Sequence, residues 1–400
     1  MRDIIAERLR NYRSSVFDET SALARRFDAV DLGSGTPDMP VPASVAQAVS
    51  DAIAAGRNQY SPVAGTLALR QAVAAHGARF YDQRIDPGTE ITVTNGVTEG
   101  VYAALESFVD PGDEVVLFEP CYDSYIPSVQ LAGGIVVPVA LSAPDFRLDS
   151  AALLAAFSPR TKAVLLNNPH NPTGKVFSKT ELEEIAALCR RFDILVIADE
   201  VYEHVVFDGR RHVRFATLPG MAERTLTLSG AGKTFSCTGW RIGWAIGPHR
   251  LQQALERFRQ YSVYCAPTPL QDGIAAGLSL PDAYFADLAA EYQARRDLLM
   301  TALVDTPFHV FRPNGAFFVL ASFATSDYRN GGECCRVLAR DVGVVPVPLD
   351  TFFASMGRAQ DLVRFTYCVR REVLAAASER LARMGGRSAA ALSSVTLPSC

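Results

Sequence analysis

Between residue 46 and about residue 250 the chain alternates two hydrophobic patterns. The first is a short, nearly continuous apolar run. It occurs in EITVTN (90–95), DEVVLFE (113–119), GGIVVPVA (133–140), KAVLLNN (162–168), DILVIADE (193–200), RTLTLS (224–229) and RIGWAIG (241–247). Most of these runs lack the in–out alternation of a strand with one wet face, so they predict strands covered on both sides. The second pattern repeats apolar residues every three or four positions, as in SKTELEEIAALCRRF (178–192), and predicts helices with one buried stripe. Seven strand candidates alternating with helices predict an α/β domain built on a mostly parallel, seven-stranded sheet.

The flanking segments read differently. Residues 1–45 hold a short helical stretch and then LGSGTPDMPVP (32–42), whose glycines and prolines favour an extended loop. DAYFADLAAEYQARRDLLMTAL (282–303) predicts a long linking helix, followed by a smaller α/β portion to about residue 385. The expected division is a large domain over 46–285 and a small one over 286–385. The segment 1–45 is expected to pack with the small domain, and 386–400 forms a tail with no assigned role. No internal repeat is visible.

Composition narrows the class. Of 400 residues, 48% are hydrophobic and 20% charged, the balance of a soluble globular protein. A net charge of −4 gives no electrostatic case for nucleic acid or an anionic membrane. No apolar run approaches the roughly 20 residues of a membrane span. The start, MRDIIAERLRNYRSS, lacks the continuous apolar stretch of a signal peptide. The eight cysteines form no CxxC pair and show no zinc-site spacing, which predicts reduced thiols in a cytoplasmic protein and no metal.

Ligands of open α/β sheets bind beyond the carboxyl ends of the strands, so the chemistry should lie just after the apolar runs. Asp199 ends one such run, where a carboxylate is costly unless paired or hydrogen-bonded. It could cap a helix or face a protonated heterocyclic nitrogen. Lys233 sits in the glycine-rich turn SGAGKTFS, which invites a P-loop reading; the first glycine that motif needs would be at 227, where Thr227 stands. A lysine between two apolar strands can be partly desolvated and so become a Schiff-base nucleophile. Arg241 opens RIGWAIG and suits an anion. Gly96-Val97-Thr98 precedes a helix-like stretch, where backbone N–H groups can cradle a phosphate.

Taken together, NNPHNPTG (167–174), DEVY (199–202) and SGAGKTFSCTGWRIGW (229–244) resemble the three core motifs of class I/II aminotransferases, fold type I enzymes that use pyridoxal 5′-phosphate (PLP). Segment 4–26, LGSGTPD, NQYSP (58–62), EPCYDSY (119–125) and LVRFTYCVRRE (362–372) extend the similarity to about residue 385, nearest the kynurenine, methionine and N-succinyldiaminopimelate aminotransferase branch. The resemblance implies transfer of an amino group between an L-amino acid and a 2-oxo acid. It implies Lys233 as the Schiff-base lysine, Asp199 as partner of the ring nitrogen, and Asn171 and Tyr202 as hydrogen-bond donors to the ring 3′-oxygen. Tyr122 would stack on the ring. Gly96, Val97, Thr98, Ser229 and Arg241 would hold the phosphate, with Tyr60 reaching in from a second subunit of a homodimer. Arg364 would take the substrate carboxylate, and Phe17, Ser34, Gly35 and Thr36 would border the substrate.

Departures from the pattern bear on that expectation. The family usually places Ser or Thr where Gly230 stands, and Ser229 is the nearest hydroxyl. The near branch commonly has Gln and Phe at the positions of Ser34 and Thr36, and TVGATEA where this chain has TNGVTEG. These changes leave open a different outcome on the same cofactor: β- or γ-elimination, or C–C bond formation, from an amino acid with a leaving group such as S-adenosylmethionine. The effector-binding domain of a transcription regulator is the non-enzyme alternative. It is disfavoured because the resemblance begins within the first few residues.

Overall fold

Backbone hydrogen bonds join eight strands into one sheet. Their order is Ile91–Thr94, Gly243–Ile246, Thr225–Gly230, Leu195–Asp199, Thr161–Asn167, Glu114–Glu119, Ile135–Ser142 and Arg147–Leu148. All seven runs expected as strands enter it, and the eighth strand is a two-residue antiparallel edge. The five strands from Thr225–Gly230 to Ile135–Ser142 are mutually parallel, and Gly243–Ile246 runs antiparallel to both of its neighbours. This computed structural model describes residues 4–12, 14–324, 326–354 and 361–385; the expected tail over 386–400 lies outside them.

The missing in–out alternation has a direct cause: helices cover both faces. On one face, Val101, Ala104, Leu105 and Phe108 of helix Val97–Phe108 pack with Leu117, Leu165, Ile197, Leu226 and Leu228 of the strands. On the other, Leu69 and Val73 of helix Leu67–Tyr81 and Ile274 and Leu278 of helix Thr268–Leu278 pack with Ile91, Val93, Trp244 and Ile246. Each of the buried Val, Leu, Ile and Phe side chains contributes roughly 1.5–3 kcal/mol by leaving water. Helix Lys179–Arg191 follows its sequence period, burying Leu182, Ile185, Ala186 and Cys189. It starts at Ser178, which forms a reciprocal capping box with Glu181.

The chain divides into two compact units. One holds the large sheet and comprises Thr36–Gln293 and Pro313–Ala316; the other takes the described residues within Met1–Gly35, Ala294–Arg312 and Phe317–Cys400. The boundaries differ from the expected 45 and 285 for physical reasons. Strand Val30–Asp31 pairs with Val344–Val345, which ties only the chain up to Gly35 to the smaller unit. Helix Ala43–Ala54 packs instead on helix Thr268–Leu278, where Gly273 leaves no room for a Cβ beside Val49. The linking helix Asp282–Leu303 is shared, with the division after Gln293. The smaller unit is built on an antiparallel sheet of His309–Phe311, Phe318–Ser322, Leu362–Thr366 and Val347–Pro348. Among the described residues, no helix is long and apolar enough to cross a membrane.

Candidate active site

The ends of two parallel strands create the centre of the site. Asn167 and Asp199 are register partners and the last residues of their strands. The Asn167 amide donates to the Asp199 carbonyl at 2.9 Å, and its Oδ1 accepts from the Asn171 backbone N–H at 2.7 Å. One side chain thus fixes the start of the loop that follows. Asn171 Nδ2 then lies 3.5 Å from the Tyr202 hydroxyl, with both residues buried.

The Asp199 carboxylate is itself buried. Its Oδ1 accepts from Val201 N–H at 3.0 Å, the cap that Asp provides so often, and its Oδ2 accepts from the Tyr125 hydroxyl at 2.6 Å. Burial pushes its pKa up to about 6, opposed by the hydrogen bonds from Tyr125 and Val201 and by the charge of Lys233. Burial and the neighbouring carboxylate raise the Tyr125 phenol well above its ordinary value, so Tyr125 is the donor. Tyr125 starts helix Tyr125–Leu131, and the Tyr122 ring stands edge-on to it at 5.6 Å. Tyr125 and Asn167 lie inside EPCYDSY and NNPHNPTG, where residue type alone gives neither a role. Their signal was position: one is three residues beyond Tyr122, the other ends the apolar run beside Asp199.

Lys233 follows strand Thr225–Gly230 on the one-turn helix Ala231–Thr234 and is half-buried. The same unit holds a helix start suited to an anion. Gly96 has φ of +82° and caps helix Val97–Phe108, whose first-turn N–H groups have no partner within the helix. A Cβ at Gly96 would stand 2.6 Å from Nη2 of Arg241, so the guanidinium lies directly against the glycine. Arg241 does not open the following strand as expected. It is a turn residue with φ of +52°, ahead of the strand that starts at Gly243, and its Nη1 donates to the Thr238 carbonyl at 3.1 Å.

Ser229 is placed otherwise than expected. Along its strand Leu228 packs toward helix Val97–Phe108, and Ser229 points to the opposite face, where its hydroxyl donates to Glu203 at 2.5 Å. Glu203 is held in turn by Arg214 at 2.6 Å, and Arg214 also contacts Glu200. The hydroxyl is thus committed to this buried network. The departure at Gly230 has a steric partner instead. A Cβ there would stand 3.1 Å from Cγ2 of Val97, and residue 97 is the position where the family pattern has alanine. The two changes are complementary in size.

In the smaller unit, Arg364 is fully buried on strand Leu362–Thr366. Its Nη2 donates to the Gly33 carbonyl at 2.8 Å. The rings of Phe318, Phe17 and Phe352 lie 4.1, 5.3 and 5.3 Å from its guanidinium carbon. Gly35 sits against the Phe318 ring, where a Cβ would meet it at 3.2 Å. The Ser34 N–H is fixed by Asp31 at 3.0 Å. Thr36 begins the larger unit. Tyr60 belongs to that unit and is 84% exposed, its ring edge-on to Tyr264 at 5.5 Å.

The family model for aminotransferase class I and II matches residues 28–381. The chain belongs to the class I and II aminotransferases. It is 44% identical to a probable N-succinyldiaminopimelate aminotransferase of Mycobacterium tuberculosis, over 96% of this chain and 99% of that one. It is 34% identical to the methionine aminotransferase of Escherichia coli, over 93% and 96%. The solved N-succinyldiaminopimelate aminotransferase from M. tuberculosis superposes with a TM-score of 0.91 over 95% of this chain and 100% of that one. The aspartate aminotransferase of Thermus thermophilus with maleate does so with 0.88 over 96% and 100%, at 33% identity. The architecture is therefore that of the fold type I aminotransferases. The activity is transfer of an amino group between an amino acid and a 2-oxo acid.

Two expectations follow from the geometry. Asp199 has a folded pKa of about 6 against an ordinary 3.8, so the folded protein keeps a proton that the unfolded chain releases. The stability this group contributes is about 3 kcal/mol well below pH 3.8 and is lost as pH rises through 6, with about 1.4 kcal/mol of the loss falling between pH 5 and 7.5. Asp199→Asn removes that slope, and denaturant titrations at pH 5 and 7.5 measure it; an equal slope in both proteins would contradict the assignment. Gly230→Ser should be destabilising on its own and relieved by Val97→Ala. Additive losses in the double-mutant cycle would show that the two positions are independent.

Proposed function

We propose that this aminotransferase works with PLP and that Lys233 holds the cofactor covalently through its ε-amino group. The observation that carries the reading is Asp199. Burial pushes this strand-end carboxylate up to about 6, and a cationic ring nitrogen beside it would restore its charged form. The other residues present fit the same group. Gly96, the helix start and the Arg241 guanidinium suit a phosphate dianion. Asn171 and Tyr202 offer two donors for a phenolic oxygen, and Tyr122 an aromatic face. When bound, the cofactor supplies an aldehyde to take up the amino group and a protonated ring that withdraws electrons from the substrate α-carbon.

The residues divide the remaining work. Asp199, oriented by Tyr125 and Val201, keeps the ring nitrogen protonated. Lys233 Nζ would serve as the base that removes the substrate α-proton and as the acid that returns it. Arg364 receives the α-carboxylate by a bidentate contact, its direction set by the Gly33 carbonyl and the surrounding rings. Phe17 and Gly35 border the substrate, and the small side chains of Ser34 and Thr36 leave room for a bulky one. The exposure of Tyr60 supports a homodimer in which it reaches the neighbour's phosphate cradle. The absence of CxxC pairs among eight cysteines supports a cytoplasmic location.

Borohydride treatment of the holoenzyme should fix one cofactor per chain on the peptide containing Lys233, and Lys233→Ala should abolish both the label and the transfer reaction. A label on another lysine would overturn the assignment. A half-reaction screen over amino acids, with product mass analysis, then identifies the donor as the one that leaves the cofactor in its amine form. For the assembly, sedimentation should give a dimer, and Tyr60→Phe should weaken PLP binding several-fold while the dimer persists. A fully active monomer would refute shared sites.

A further inference from the structure

The loop that carries Gly96 is held from behind by a buried cation. Arg259, on helix His249–Ser262, has no exposed surface. Its Nε donates to Glu99 Oε1 at 2.9 Å, its Nη2 to Asn95 Oδ1 at 3.1 Å and its Nη1 to the Val63 carbonyl at 3.0 Å. The second oxygen of Glu99 accepts from the Asn95 backbone N–H at 2.8 Å. The residue before Gly96 and the residue three after it are therefore closed into one ring: Asn95 backbone to Glu99 carboxylate, to Arg259, to Asn95 side chain. The stretch Gly96-Val97-Thr98 lies inside that ring and keeps a backbone angle, φ of +82° at Gly96, that an unrestrained loop would populate only in part.

We infer that Arg259, with Asn95 and Glu99, is a positioning clamp for the phosphate cradle; the inference rests on the PLP reading above. Being wholly buried, Arg259 can touch no ligand, so it acts only through the loop. Donors held in place before a ligand arrives bind it more tightly, because no ordering is left to do. Two features make the clamp matter in this chain. Gly230 offers no hydroxyl to the phosphate, and the Ser229 hydroxyl is turned to Glu203. Asn95 stands where the family pattern has valine, which could accept nothing from a guanidinium. The loss of one phosphate ligand is thus accompanied by an added restraint on those that remain. The same guanidinium ties down the Val63 carbonyl, three residues from Tyr60.

The test uses two ligands that differ only in the phosphate. Cofactor-free protein is titrated with PLP and with pyridoxal, following absorbance. Arg259→Met should weaken PLP about tenfold or more, and Asn95→Val about threefold, both leaving pyridoxal within about twofold; a lost charge-assisted restraint is of this size. Arg259→Lys, which keeps the charge but cannot reach three acceptors, should fall between wild type and Arg259→Met. Equal weakening of both ligands would mean a general structural defect and overturn the clamp, as would unchanged PLP affinity. If Arg259→Met fails to fold, Asn95→Val decides, because it keeps the pair between Arg259 and Glu99. Failure of the wild-type protein to bind either aldehyde would instead sink the cofactor reading itself.

Discussion

The larger unit is organised around the cost of a buried carboxylate. Asp199 ends a strand in the middle of the sheet, flanked by two parallel neighbours and covered by helices. A charge there is tolerable only with partners, and the surrounding residues supply them in two layers. Tyr125 and Val201 hold its oxygens directly. Asn167, its register partner, holds its carbonyl and at the same time sets the loop that brings Asn171 to Tyr202. The hydrogen bonds stop short of full compensation, and burial still raises the pKa to about 6. The remaining deficit is what the cationic ring of the proposed cofactor would relieve.

A second buried network lies on the other side of the strand end. Ser229, Glu203, Arg214, Glu200 and His212 form a chain of charge-assisted contacts. Nearby, His76 and His204 face each other at 2.7 Å, and burial lowers their pKa values to about 4 and about 3, so both are neutral near pH 7. This network fixes the strand that leads to Lys233. It also commits to Glu203 a hydroxyl that, in one dimension, looks placed for an anion. Arg259 holds Glu99, Asn95 and the Val63 carbonyl together, acceptors about 160 or more positions away in the chain.

Much of this was legible from patterning. Continuous apolar runs marked every major strand of the sheet, because two-sided coverage by helices removes the polar face that would otherwise interrupt them. Strand ends marked Asp199, Asn171 and Lys233, because parallel strands direct their carboxyl ends to one edge. Residue type marks Arg241 as suited to an anion but not its turn conformation, since φ of +52° in a non-glycine residue leaves no trace in composition. Domain limits failed by about ten residues at each junction. The determining contacts, Val30–Asp31 with Val344–Val345 and Gly273 with Val49, join segments far apart in the chain.

The sequence by itself determined the class of the protein: the alternating elements, the lysine in its glycine-rich turn, the acid at the strand end and the arginine of LVRFTYCVRRE. These follow from local patterns and fixed spacings, which one dimension records. Tertiary structure decided which way each polar group is used. It turned Ser229 to Glu203, gave Tyr125 to Asp199, set Val97 in the space that a side chain at 230 would need, and placed Arg259 behind Asn95 and Glu99. The reason is common to all four. A buried hydrogen bond or steric fit depends on which faces meet, and that is settled by packing between elements rather than by the order of residues within them.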